Sequence, residues 1–319
     1  MFRLGGLQLL FILTIATIQC QHTVSGHHAR AFCATHAPND RLKAAHKHLS
    51  ADEMNQYVVG HESRERVTPI EIETWFHIVS SEEESEIVTD GMINEQLSYL
   101  QNAYENVTIS YRLEGITRSV NNTWAHNADD LGMKAALRRG SYSTLNVYFQ
   151  TNLQASHGAG ARAVNPENKR NSHVSNQLSS SVLGFCTLPD PSVNASSPRS
   201  AYVKDGCNVL AKTMPGGSLM HYNRGGTAIH EIGHWNGLLH TFEGESCSPD
   251  NPGDYIADTP VQSIPTDGCP ARKNSCPDSP GLDAIHNFMD YSSDECYETF
   301  TPGQMKRMRG MWSSMREGK

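Results

Sequence analysis

The stretch His230-Glu-Ile-Gly-His-Trp-Asn-Gly-Leu-Leu-His240 admits few folds. Two histidines four positions apart fall on one face of an α-helix, one turn from each other, where they can share a metal ion. Ile232, Trp235, Leu238 and Leu239 make that helix a buried one. Buried histidines so closely spaced need partners, and a metal supplies them at once. Gly237 can take the positive φ that ends the helix and turns the chain, so that His240 returns as a third ligand. Three nitrogens and one open position describe a catalytic zinc site, since a structural site closes with a fourth protein ligand. Glu231 projects from the same turn, where a general base for a bound water is needed. The bland alternative is a helix carrying surface histidines around a solvated glutamate. Its apolar flanks count against it.

The N-terminus has its own logic. Met1, Phe2 and Arg3 precede a short apolar run from Leu4 to Ile18, and Gln19-Cys20-Gln21 follows. This pattern reads as a secretory signal peptide over residues 1–20. The run is short for a membrane span, and no later stretch approaches the roughly 20 apolar residues that one requires. A soluble, secreted, extracellular product without membrane association is expected. The sequons Asn106-Val-Thr108, Asn121-Asn-Thr123 and Asn194-Ala-Ser196 fit a glycoprotein, although such tripeptides also arise by chance. A net charge of −8, with no cluster of Lys and Arg among aromatics, argues against a nucleic-acid partner. Glu82-Glu83-Glu84-Ser85-Glu86 reads as a solvated loop.

Cysteines sharpen the picture. Cys20 leaves with the signal peptide, and Cys186, Cys207, Cys247, Cys269, Cys276 and Cys296 form an even set, enough for three disulfides in an oxidising compartment. The residues alone leave fifteen pairings open. Cys33 is the odd one out.

Residues 21–65 are rich in histidine and small polar residues, with one modest helical stretch around Arg41–His48 and no apolar pattern able to build a core. They read as a propeptide, bounded by the charged His61-Glu-Ser-Arg-Glu-Arg66. Residues 66–319 form the main domain. Ile70–Val79 is predicted as a strand, Asp90 as the cap of a helix bearing Ile93, Leu97, Leu100 and Tyr104, and Val107–Leu113 as a second strand. A short helix near Asp130–Arg138, a strand at Leu145–Gln150 and short strands at Val182–Thr187 and Ala201–Val203 follow. This alternation predicts an α+β domain, a mixed sheet with helices packed against it. Beyond His240, Pro, Gly, Asp and Cys dominate to about residue 283, and such a region needs disulfides, or a bound cation, to hold it. Thr301-Pro-Gly-Gln304 then opens a C-terminal helix with Met305, Met308 and Trp312.

The motif at 230–240, followed by Asn287-Phe-Met-Asp-Tyr291, resembles the metzincin clan of zinc peptidases, with Met289 as the Met-turn residue. Within it, the chain is similar to the pappalysin family, specifically its small secreted members related to ulilysin and the fungal-type extracellular metalloproteases. The likeness is strong over roughly the last 100 residues, from Tyr222-Asn223 through Gly253-Asp-Tyr-Ile-Ala-Asp-Thr-Pro260 to Phe300-Thr-Pro302, and weaker back to Trp75. It implies a twisted sheet with backing and active-site helices above a horizontal cleft, and a loop-rich, disulfide-bonded lower part ending in the C-terminal helix.

It also implies zinc on His230, His234 and His240, with Glu231 as base and Tyr291 as a hydrogen-bond donor to the oxyanion, a packed tyrosine being the alternative for the last. Asp254, Asp258 and Thr259 match a stretch that binds calcium in some members; a tight Asp/Pro turn is the plain alternative. Asp294 matches a position lining the pocket for the residue after the cut, where a carboxylate favours Arg or Lys. The family pattern pairs Cys186 with Cys207, Cys247 with Cys276 and Cys269 with Cys296. Cys33 resembles the propeptide cysteine that occupies zinc in related zymogens, though Ala34 stands where a glycine is common. The expectation is a monomeric endopeptidase acting on proteins or peptides and made as a zymogen. A non-catalytic metal-binding protein of the same fold, and a zinc hydrolase of non-peptide substrates, are the competing readings.

Overall fold

The computed structural model describes residues 32–58, 68–155 and 182–319. The signal segment with Cys20, the start of the expected propeptide and its boundary at residues 61–66 lie outside the described residues.

Strand β1 (Ile70–Ser80) alternates at its start and is buried on both faces from Phe76 onward, the pattern of a central strand. It pairs in parallel with β2 (Ile109–Val120) on one side and β3 (Leu145–Gln150) on the other. Next to β3 lies β5 (Cys207–Leu210), also parallel, and β4 (Gly184–Cys186) closes the edge antiparallel to β5. The mixed sheet therefore runs β2-β1-β3-β5-β4.

Helix α2 (Asp90–Tyr104) crosses from β1 to β2 and buries Ile93, Gln96, Leu100 and Tyr104. Its cap is Thr89, whose side chain accepts the Met92 N–H, so Asp90 is the first helical residue rather than the cap. Two short helices, α3 (Asn122–Ala125) and α4 (Asp130–Leu137), lead into β3. The strand expected at Ala201–Val203 is instead α5 (Arg199–Tyr202), and the chain enters the sheet five residues later. The reason lies in the partner: Cys207 faces Cys186 across the β4–β5 pair and is disulfide-bonded to it.

Helix α6 (Gly226–Trp235) is buried along its whole length. Phe76, Val147, Val209, Ile229, Ile232 and Met289 belong to one core beneath it. Behind α6, Arg316 stacks 3.6 Å from the Trp235 ring and donates to Asp205, tying the C-terminus to the helix. Among the described residues, no helix or strand lies between α6 and α7 (Pro302–Met311). Cys247–Cys276 and Cys269–Cys296 staple that region, and with Cys186–Cys207 these are the pairs the family pattern implied. Helix α7 opens with a reciprocal capping box between Thr301 and Gln304.

The N-terminal segment departs from expectation. Its helix α1 runs Asp40–Val58, more than twice the expected length. It is not coreless: Leu42 packs with Met311 and Met315 of the C-terminal segment in a small apolar cluster. An apolar face too narrow to support itself is completed by a distant helix.

Candidate metal centre

Helix α6 places His230 and His234 one turn apart, and Gly237, at φ 93°, turns the chain so that His240 returns. Met311 packs against Gly237 so closely that a Cβ there would lie 2.6 Å from its Cγ. The His234 Nε2 sits 3.2 Å from His230 Nε2 and 3.1 Å from His240 Nε2. His230 Nδ1 donates to Phe288 O at 2.7 Å and His234 Nδ1 to Leu238 O at 2.9 Å. With the proton held on Nδ1, each Nε2 presents a lone pair. Lone pairs facing one another at such distances cannot hydrogen-bond, so a cation between them is the arrangement the donors fit. Nitrogens bound tetrahedrally at about 2.0–2.1 Å stand about 3.3 Å apart, close to what is seen. Burial, and then the neighbouring imidazoles, hold His230 and His234 well below the ordinary histidine range, so both stay neutral and able to ligate.

Cys33 completes the group: its Sγ and the three histidine nitrogens all lie within 4.8 Å of one another. Among the described residues this is the one cluster of three or more His, Cys, Asp or Glu so disposed. The segment around Cys33 adds to the sheet edge in parallel with β4, through Ala34 N to Gly184 O at 2.9 Å and Leu183 N to Phe32 O at 3.0 Å. Phe32 stacks on Tyr291 at 4.6 Å and meets Tyr222 and His230 edge-on. Burial pushes the Cys33 thiol well above its ordinary value, with Glu231 adding to the effect, and a cation alongside acts in the opposite sense.

Glu231 is fully buried, and its two oxygens differ. Oε2 accepts from Thr35 Oγ1 at 3.2 Å and from Cys33 Sγ at 3.6 Å, while Oε1 has no hydrogen-bond partner. Burial lifts this carboxyl to about 8 against those two hydrogen bonds. Two contributors were not singled out from sequence. Thr35 both donates to Glu231 and accepts the Cys186 N–H at 2.9 Å. Gly184 lets Glu231 lie against β4, since a Cβ there would come within 2.6 Å of Glu231 Cγ. Only a Thr two residues beyond an unpaired Cys hinted at the first, and nothing local betrayed the second.

Met289 lies under the helix with its Sδ against Gly233. The Tyr291 hydroxyl is 3.2 Å from His240 Nε2 and 3.4 Å from Cys33 O, at the rim of the cluster. Asp294 is buried rather than lining an open surface: Oδ2 accepts from Arg224 N and Gly226 N at the start of α6, and Oδ1 is unpartnered. Asp258 accepts from Thr301 Oγ1 and Gly303 N at the head of α7, whereas Asp254 is fully buried, accepting from Ile256 N on Oδ1, with the Thr259 hydroxyl and the Asp258 charge beside it. Of the sequons, Asn106 and Asn194 are exposed, and Asn121 caps α3 through Trp124 N.

Comparison with known proteins agrees with this geometry. Residues 161–313 match a peptidase family model described as pregnancy-associated plasma protein-A. An extracellular metalloprotease of Aspergillus oryzae is 65% identical over 97% of this chain and 98% of its own length. One of Aspergillus fumigatus is 62% identical over 98% and 97%. Among solved structures, Tannerella forsythia mature mirolysin with a cleaved peptide aligns at 23% identity and TM-score 0.56, covering 78% of this chain and 96% of that one. A promirolysin variant aligns at 22% identity and TM-score 0.59, covering 89% and 94%. The fold is thus shared with that of mirolysin.

Proposed function

The chain belongs to the pappalysin family of metallopeptidases, and from that premise we propose that it is a secreted zinc endopeptidase, held latent by its own N-terminal segment. The observation that carries this reading is the convergence of three histidine Nε2 atoms, that of His234 lying 3.1–3.2 Å from the other two, beside a buried glutamate with one unpartnered oxygen. His230, His234 and His240 hold the metal. Bound there, zinc supplies Lewis acidity, lowering the pKa of water and polarising a peptide carbonyl. Glu231 takes the proton of the attacking water and passes it to the leaving amine. Tyr291 donates its hydroxyl to the developing oxyanion, its partner in the latent form being Cys33 O. With a metal on the three histidines, the Cys33 thiolate would be its fourth ligand, and Thr35 hydrogen-bonds the base, so latency would act on both halves of the chemistry.

Residues 1–20 are the signal peptide, 21–65 the propeptide and 66–319 the catalytic domain, which acts as a monomer. Asn106 and Asn194 are the better placed for glycan, being exposed. A preference for Arg or Lys after the cut rests on the family position of Asp294 alone, its side chain being buried here, and a peptide library in which apolar residues dominate that position would end it. Calcium is proposed on Asp254, Asp258 and Thr259, with Asp258 also accepting hydrogen bonds at the head of α7.

The deciding experiment measures metal content and casein cleavage together. The activated protein carries one zinc, loses activity to a chelator and regains it with zinc. Glu231→Gln keeps its zinc and loses about 10²–10⁴-fold in kcat. A Glu231→Gln protein cleaving casein at the normal rate refutes the assignment of the base.

A further inference from the structure

The N-terminal segment touches the rest of the molecule at two separate places. One is the metal cleft, through Phe32 to Thr35. The other is a face of α7, a helix none of whose residues is assigned to chemistry. There the Arg307 side chain is fully buried, and its guanidinium grips the segment as a fork: Nε to Glu53 Oε1 at 3.0 Å and Nη2 to Glu53 Oε2 at 2.9 Å. Nη1 meets His46 Nδ1 at 2.8 Å, and Nη2 also donates to Tyr255 O at 2.7 Å. His46 lies flat on the Tyr255 ring, 5.5 Å between centroids. Burial, and the guanidinium beside it, hold His46 down to about 3, so its Nδ1 stays an acceptor. Leu42, His46, Leu49 and Glu53 fall at helical spacing on one face of α1, the face turned to α7.

A bidentate Arg–carboxylate pair with a buried guanidinium and a half-buried carboxylate, flanked by an apolar patch, is a built docking site, not a surface ion pair. The short stretch 36–39 joins the two contacts, so each keeps the other at high effective concentration. We propose that the α7 face centred on Arg307 is a binding site for α1 that retains the N-terminal segment as a non-covalent inhibitor after the chain is cut between residues 58 and 68. Release of the active enzyme then requires a second event that destroys the segment itself. His36, Ala37 and Asn39 are exposed and offer a place for a second cut. This inference rests on the propeptide reading and adds a stage to it.

The test uses the full chain with a recognition sequence for a site-specific protease placed within residues 61–66. After cutting, size-exclusion chromatography at nanomolar protein reports whether the small fragment co-elutes, and casein cleavage is read on the same fractions. The unvaried fragment is expected to co-elute and the cut protein to stay latent. Glu53→Ala is expected to release the fragment at least tenfold faster and to unmask activity, with Glu53→Gln in between. Cys33→Ser is expected to leave the fragment co-eluting, because the α7 contact does not involve the thiol. Both Glu53 variants alter only the segment, and unfolding temperatures of the uncut proteins identify any variant that fails to fold. Departure of the unvaried fragment as fast as the Glu53→Ala one overturns the proposal, as does its release by Cys33→Ser alone. If residues 32–58 are not inhibitory at all, the uncut protein itself cleaves casein as fast as fractions freed of the fragment, whatever the fragment does.

Discussion

Thr35 is a small residue with two obligations. Its hydroxyl donates to Glu231 Oε2 and accepts the Cys186 N–H, so it joins the sheet edge to the catalytic carboxylate. Thr35→Val keeps the shape and removes both bonds, leaving a backbone donor without its partner; such losses amount to about 1–3 kcal/mol. The uncut Thr35→Val protein is therefore expected to expose Cys33 more often, and alkylation of that thiol to run about 10-fold faster or more. An unchanged alkylation rate would show that Thr35 adds nothing to latency. Tyr291 makes a complementary case in the activated enzyme. Loss of one oxyanion donor lowers kcat by about 10²–10³-fold, so Tyr291→Phe should reduce kcat on a peptide substrate while KM moves little. A rise confined to KM would instead make Tyr291 a wall of the cleft. The clustering of the three histidines was legible because two of them sit one helical turn apart and a glycine turn returns the third. Thr35 and Gly184 were not, because their roles depend on a contact with Glu231 from about two hundred and about fifty residues away.

At the scale of elements, legibility followed length and the locality of the cause. β1 and β3 could be read from their apolar, β-branched runs, and α7 from a cap, a proline and a glutamine within four residues. Thr301→Ala removes that cap and is expected to lower stability by about 1 kcal/mol in thermal unfolding, without changing activity per folded molecule. A larger loss would be informative, since Thr301 Oγ1 also donates to Asp258. β4 fell within the strand expected at Val182–Thr187, whereas β5, with four residues, is too short for periodicity to speak, and its disulfide and sheet partners decide its place. The docking of α1 was invisible for a similar reason. Its weakly apolar face gains meaning only against Met311, Met315 and Arg307, more than 250 residues along the chain.

Whole-molecule stability turns on how the loop-rich half handles its buried acids. Burial lifts Asp254 to about 7 and Asp294 to about 6, against about 3.8 for a free aspartate. The sign follows from proton counting: between pH 4 and 7 the folded chain binds these protons and the unfolded chain does not, so stability falls as pH rises through that window. Asp205 acts oppositely, its carboxyl held low by Arg316 and Arg138 despite burial, and its contribution is lost only as pH falls through its depressed value. In calcium-free buffer, Asp254 and Asp294 thus make stability decline as pH rises toward 8. The buried His46 and His77, held down to about 3 and about 4, take stability away as pH falls below about 6.5, so the maximum is expected between these two limbs, in weakly acid to neutral buffer. Asp254 accounts for roughly 4 kcal/mol of that decline at most, since each tenfold change in proton affinity is worth about 1.4 kcal/mol. Asp254→Asn should flatten the upper part of the curve, from about pH 5 to 8. Calcium supplies the second arm: a cation on Asp254, Asp258 and Thr259 stabilises the ionised Asp254 carboxylate, so adding calcium at pH 8 should recover the lost stability in the unvaried protein and not in Asp254→Asn. Equal recovery in both would place any calcium elsewhere, while a flat curve in the unvaried protein would mean that Asp254 finds a partner in solution that keeps it ionised at ordinary pH.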